Sequence, residues 1–365
     1  MNHIRGNFKA AILKAEQVNE SDLPVTIGNE IAGYVDKNDQ ATIDDIKRLS
    51  GASSFRNNLI SHFEELGMAN KDATTVFNII TKGSDMKLVS EYLMNNKRDI
   101  QTFLDKKIDV YGWLASIGIT DKNTANAIYD YATNTKPSTG PAEIFLSLFV
   151  DGGRRPGKGE KGDVRINGLE VEVKSMNGRL MGQKGYGDAK TMRSKFKSIL
   201  EEIADNFKVD IKVDDSNDKN FNITKKDTRE VGRVLNEIVN QRGKFSKKDT
   251  VYISGKILEA YNVYLIGAKD IISKYIAPIS TTIKSSGAID TKAFHNLMLS
   301  LYFDYYHSLE DFEFIALANP NKGLLLITNP TKFKNYIKTG EIDYTPPSFS
   351  DAAGSQGGTY AITLK

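Results

Sequence analysis

KGDVRINGLEVEVK, residues 161–174, is the stretch that decides how this chain is read. Asn167–Gly168 lies between two runs in which apolar and charged residues alternate. Such a pair predicts a two-residue type I′ hairpin turn, because both turn positions need a left-handed backbone. The turn fixes a register of Ile166 opposite Leu169, Arg165 opposite Glu170, Val164 opposite Val171 and Asp163 opposite Glu172. Lys161 then falls opposite Lys174. Side chains alternate between the faces of a strand. Val164, Ile166, Leu169, Val171 and Val173 therefore make an apolar, core-facing side. Lys161, Asp163, Arg165, Glu170, Glu172 and Lys174 make a charged one.

A charged side is ordinarily a solvated side, and Arg165 opposite Glu170 is a favourable pair that accounts for itself. Asp163 opposite Glu172 is different. Like charges with Cβ atoms about 4.5–5.5 Å apart repel. A divalent cation between them turns that repulsion into binding. Lys174 follows Glu172 by two residues and reaches the same region. Phosphodiester hydrolysis needs this combination: carboxylates to hold Mg²⁺, and a lysine to position water or stabilise charge on the phosphate.

The composition narrows the alternatives. The 365 residues suggest about two domains. Hydrophobic residues at 40% and charged residues at 26% are usual for a globular protein. There is no run of about 18 apolar residues, so no membrane span is expected. The opening MNHIRGNFKAAILKAEQ has no apolar core of a secretory signal. A cytoplasmic protein of a bacterial or phage-infected cell, or a virion-associated one, is expected. With no cysteine, the chain has no disulfide, thiol nucleophile or Cys-ligated zinc. The four histidines (His3, His62, His295, His307) are scattered, so a metal is expected on carboxylate oxygens. The net charge of +3 hides a local excess. Residues 151–200 hold 12 Lys/Arg and 6 Asp/Glu, net +6, which leaves −3 for the remainder.

The organisation follows from periodicity and punctuation. The first ~135 residues read as helices, with Leu59, Ile60, Phe63 and Leu66 at helical spacing before the stop at Gly67. Leu88, Val89, Tyr92 and Leu93 repeat the pattern, as do Ile100, Phe103 and Leu104. A helix-turn-helix over 42–63 fits, but two ordinary packed helices fit better. TNTKPSTGP (133–141) reads as a linker and AEIFLSLFV (142–150) as a short helix. A helix begins near Asp188 and carries Met192, Phe196, Ile199, Leu200, Ile203 and Phe207 on one stripe. Asp227 and Glu230 form a capping-box pattern before another. Further helices are expected at 256–276 and 291–307. FEFIALAN (312–319) and GLLLIT (323–328) read as two buried strands of a hairpin. A flexible tail (346–365) ends in the strand-like TYAITLK.

Gly162-Asp163, eight intervening residues, then Glu172-Val173-Lys174 resembles the signature of the PD-(D/E)XK nucleases. That superfamily includes restriction enzymes, phage endonucleases and Holliday-junction resolvases. Gly162 stands where the motif's proline would be. The resemblance covers about residues 140–190, with 291–328 completing the sheet, and does not extend to the helical N-terminus. It implies an α/β (α+β) restriction-endonuclease-like core, a mixed sheet flanked by helices. With the periodicity, this gives a helical N-terminal domain (1–135) and a nuclease-like domain (136–345) with a helical insertion at about 190–290. It implies Asp163 and Glu172 as metal ligands, Lys174 as the catalytic lysine and Glu143 as a further helix carboxylate facing the metal. The implied cofactor is Mg²⁺, for which Mn²⁺ substitutes, and the implied partner is DNA.

Rival motifs overlap the same glycines. Gly152-GRRP-Gly157-Lys158 nearly matches a phosphate-binding loop, but Gly159 replaces its Ser/Thr and a strand follows instead of a helix. The dinucleotide pattern from Gly157 to Gly162 fails on the same missing helix. No kinase catalytic motif follows. The loop reads instead as a basic one in which Arg154, Arg155, Lys158 and Lys161 approach phosphates, with Arg179, Gln183 and Lys184 on the far side. Cutting both DNA strands would call for a homodimer, for which the sequence carries no signal. The competing function is a non-catalytic DNA-binding or virion/packaging assembly protein on a nuclease-like fold.

Overall fold

A computed structural model of the chain describes residues 56–131, 140, 142–157, 160, 162–180, 189–216, 221, 223, 229–319, 321, 323–347 and 358–365. Packing divides the chain into residues 1–62 and residues 63–365. Of the first unit, residues 56–62 are described, and they are helical. Residues 42–55 of the candidate helix-turn-helix lie outside the described residues, as does the linker at 132–139.

The second unit is mixed α/β. Its strands are β1 (Lys107–Ile108), β2 (Gly153–Arg154), β3 (Val164–Ile166), β4 (Leu169–Lys174), β5 (Gly178–Arg179), β6 (Phe314–Asn319), β7 (Gly323–Ile327), β8 (Ile342–Thr345) and β9 (Ala361–Leu364). Six of them form one sheet in the order β1-β7-β6-β4-β3-β2, and β5-β9-β8 form a second. The large sheet is mixed: β4 and β6 run parallel and the other neighbours antiparallel.

The β3–β4 hairpin has the expected register, with Val164 opposite Val171, Arg165 opposite Glu170 and Ile166 opposite Leu169. Asn167 and Gly168 have φ of 52° and 83°, the left-handed pair that a type I′ turn needs. The hairpin β6–β7 also forms where two apolar runs flank a polar turn, and every residue of both strands is buried. The parallel neighbours β4 and β6 are joined by a crossover that contains the helices Ala189–Asn206, Arg229–Arg242, Lys247–Tyr261, Lys269–Ser280 and Thr291–Glu310.

One expectation is corrected here, and another lies partly outside the described residues. The helix expected at 256–276 is two helices, parted near Gly267, whose φ of 78° does not continue a helix. Its N-terminus is earlier than expected, at a capping box of Ser246 and Asp249. Glu230, expected in a capping box, accepts the Asp214 N–H at 2.9 Å and pairs with Arg233 at 2.6 Å, while Asp227 lies outside the described residues.

Residues 63–131 belong to the same packed unit as the sheet and supply its edge strand β1. Their aromatic residues make a bed for the helix Glu143–Phe149. Trp113 meets Phe145 edge-on at 5.0 Å, and Phe145 stacks on Phe149 at 5.4 Å. Tyr92 donates its hydroxyl hydrogen bond to Phe149 O at 2.8 Å, and Tyr129 donates to Gly323 O at 3.2 Å. All seven residues of this helix are buried, so it is fixed beside β2 and β3. The C-terminal strand pairs with both β5 and β8. The flexible stretch expected before it lies, over 348–357, outside the described residues. No helix among the described residues is long and apolar enough to cross a membrane.

Candidate active site

The ladder of the β3–β4 hairpin ends at Val164 and Val171, one step short of the pair inferred for Asp163 and Glu172. Gly162 has a φ of 79°, a left-handed conformation that ends the regular strand at this point. Asp163 stays attached. Its N–H donates to Val171 O at 3.2 Å, and its Oδ2 accepts the Val173 N–H at 2.9 Å. The carboxylate thus takes the place of a ladder carbonyl and is held against β4 beside Glu172.

Glu172 sits mid-strand between β3 and β6, with Ile315 as its neighbour on β6, and is 8% exposed. Its side of the hairpin is therefore not a solvated one. The helix Thr291–Glu310 brings Tyr306 onto it, and the Tyr306 hydroxyl donates to Glu172 Oε1 at 2.5 Å. Lys174 Nζ donates to the same oxygen at 2.7 Å. Farther along, Arg165 and Glu170 pair at 2.9 Å, as their cross-strand register requires.

Glu143 opens the buried helix and is 4% exposed. It accepts the Gly140 N–H and pairs with Arg155 at 3.1 Å. Burial pushes its carboxyl up to about 8, and the charges of Asp163 and Glu172 add to the rise against the opposing pull of Gly140 and Arg155. Asp163 is pushed up to about 6, first by burial and then by the Glu172 charge, against the Val173 N–H, Lys174 and Arg155. The charges of Asp163, Glu172 and Glu143 are thus close enough to act on one another.

The donor set suits a hard cation. Among the described residues, no three acidic or imidazole side chains form a ready metal cage. Asp163 Oδ1 and Glu172 Oε2, however, accept no hydrogen bond from the described residues. Two carboxylate oxygens with open lone pairs, in a site where negative charges oppose one another, fit a small divalent cation with oxygen ligands.

The basic residues divide differently from the sequence reading. Arg154 is held by Glu160 in a two-pronged pair at 2.7 and 2.6 Å and remains partly exposed. Arg155 is buried and turned inward onto Glu143, so it is a counter-charge inside the site rather than a surface contact for phosphate. Arg179 donates to Thr359 O at 3.2 Å beside the small sheet. Lys158, Lys161, Gln183 and Lys184 lie outside the described residues. Lys195 and Lys197, on the next helix, pair with Glu259 and Asp215 at 3.4 and 3.1 Å.

Sequence reasoning missed Tyr306. It lies 134 residues from its partner Glu172, on a helix whose apolar pattern explains it fully as a core residue. No local signal marks it. Comparison of the chain with protein-family models, curated proteins and solved structures gave no match.

Proposed function

We propose that this chain is a Mg²⁺-dependent DNA endonuclease of the PD-(D/E)XK type. The observation that carries the reading is the hairpin itself: Asp163 and Glu172 side by side, each with one oxygen open, and Lys174 bonded to Glu172. The order of elements agrees with a nuclease-like core. A helix bearing Glu143 precedes the antiparallel strands β2, β3 and β4, and a later helix precedes β6, which runs parallel to β4.

Asp163 and Glu172 would hold the divalent cation, with Glu143 behind them. Such an ion, when bound, neutralises phosphate charge and makes water a nucleophile near neutral pH. Lys174 keeps its ammonium at the edge of the pair, where it donates to an oxygen of the scissile phosphate as negative charge grows. Arg155 holds Glu143 and lowers the repulsion among the acids. Arg154, partly exposed beside the hairpin, contributes to binding the DNA backbone.

Plasmid, single-stranded and branched DNA incubated with the protein and MgCl₂ test the proposal. Cleavage of at least one, lost in Glu172→Ala and in Lys174→Ala, is the expected result. Wild-type inactivity on all three overturns it. One observation favours a second reading: Arg155 pairs with Glu143 at 3.1 Å and offsets part of the acidic charge. A non-catalytic DNA-binding or packaging assembly protein on a nuclease-like fold would bind these DNAs and cut none.

A further inference from the structure

We propose that Tyr306 is the positioning residue of this site, setting which oxygen of Glu172 faces the cation and seating Lys174. The proposal rests on the metal-dependent reading above and adds a residue to it. The Tyr306 hydroxyl and the Lys174 ammonium both donate to Glu172 Oε1, at 2.5 and 2.7 Å. A carboxylate turns broadly about its last torsion unless donors fix it. Two donors on one oxygen fix the plane and leave Oε2 as the ligand oxygen.

The same ring also holds the lysine. Lys174 Nζ lies 4.9 Å from the Tyr306 ring centroid, within cation–π range. Tyr306 is thus in contact with both members of the Glu-x-Lys pair, through the hydroxyl and through the ring. The residue is itself closely packed. It is 4% exposed, packs against Phe312 with 5.7 Å between ring centroids, and belongs to a helix of 20 residues. A phenol holds its proton at neutral pH, so the hydroxyl is available as a donor. Packing alone does not call for that hydroxyl, since phenylalanine fills the same space. A buried hydroxyl needs a partner, and among the described residues that partner is Glu172.

The test uses Mn²⁺ alone, titrated into the full-length chain and followed by the spin-resonance signal of the free ion. The proteins are wild type, Glu172→Gln, Tyr306→Phe and a chain with 4-aminophenylalanine at position 306. The last keeps the ring and restores a donor at the same place, so a purely packing role would not distinguish it from Tyr306→Phe. We expect wild type to bind and Glu172→Gln to lose binding. Tyr306→Phe should bind about tenfold more weakly, the usual effect of removing a group that orients a ligand. The aminophenylalanine chain should return close to wild type. In cleavage, Tyr306→Phe should raise the half-saturating Mg²⁺ concentration.

Wild-type Mn²⁺ affinity in Tyr306→Phe, or no recovery with aminophenylalanine, overturns the role of Tyr306 and leaves the metal reading standing. No Mn²⁺ binding by wild type overturns the metal reading, and this role with it.

Discussion

Glu143→Gln separates the charge of the buried helix carboxylate from its shape. The Glu143 carboxyl is raised from 4.5 to about 8, so its folded form holds a proton that the unfolded form has lost at neutral pH. A group raised in this way stabilises the fold fully below about pH 4.5, and the contribution disappears as pH rises through about 8. Between pH 6.5 and 9 the unfolded chain has Glu143 ionised throughout, and Asp163, at about 6, is mostly ionised in the fold as well. At about 1.4 kcal/mol per pH unit, wild type should lose on the order of 2 kcal/mol over that interval through Glu143. The variant has no such proton and should not lose it. Urea unfolding of both proteins at pH 6.5 and pH 9 measures the difference. Taking that difference removes groups common to both, including Lys97, whose amine is pulled down to about 8 by burial. Loss of the Arg155 partner offsets the variant's stability at every pH, so only the slope counts. Equal slopes for the two proteins would refute the account of Glu143 as a carboxyl raised by burial and by its acidic neighbours.

Three further outcomes follow from the same geometry. Cation binding must displace protons from raised carboxyls, so Mn²⁺ affinity should climb between pH 6 and pH 8; calorimetry in two buffers of different ionisation enthalpy should register proton release, and pH-independent affinity would contradict this. Gly153→Ala should destabilise the fold by about 1–3 kcal/mol, because its new Cβ would lie 2.5 Å from Leu146 O and 2.9 Å from Ser147 O on the site helix; an unchanged melting temperature would count against that packing. Arg154→Ala should reduce the slope of log affinity for duplex DNA against log salt by about 1, the effect of one lost phosphate contact; titrations at four salt concentrations read it directly.

The local part of this structure was legible in the sequence. Asn167–Gly168 demanded its turn, and the turn set the pairs from Ile166–Leu169 to Val164–Val171. The apolar runs of β6 and β7 could only be buried strands. The carboxylate pair was visible as a clash of like charges, which a fold does not retain without compensation. What stayed hidden was set by long-range packing. Arg155 reads like its neighbour Arg154 in a glycine-rich basic loop, yet one is turned in to Glu143 and the other out to Glu160. The difference comes from the alternation of a strand edge laid over the buried helix, and no residue near Arg155 reports it. Tyr306 was hidden for the same reason, since helical periodicity explains a buried tyrosine without its hydroxyl. The break near Gly267 was missed because the apolar pattern continues on both sides of it.

The most direct measurement of the central claim is cleavage of an end-labelled DNA panel by wild type, Glu172→Gln and Lys174→Met with matching circular dichroism spectra. The account predicts cleavage by wild type that stops with EDTA, returns with Mg²⁺ or Mn²⁺, and falls by about 10²–10³-fold or more in either variant. Cleavage that survives both substitutions, or no cleavage by wild type of any DNA form, would contradict it.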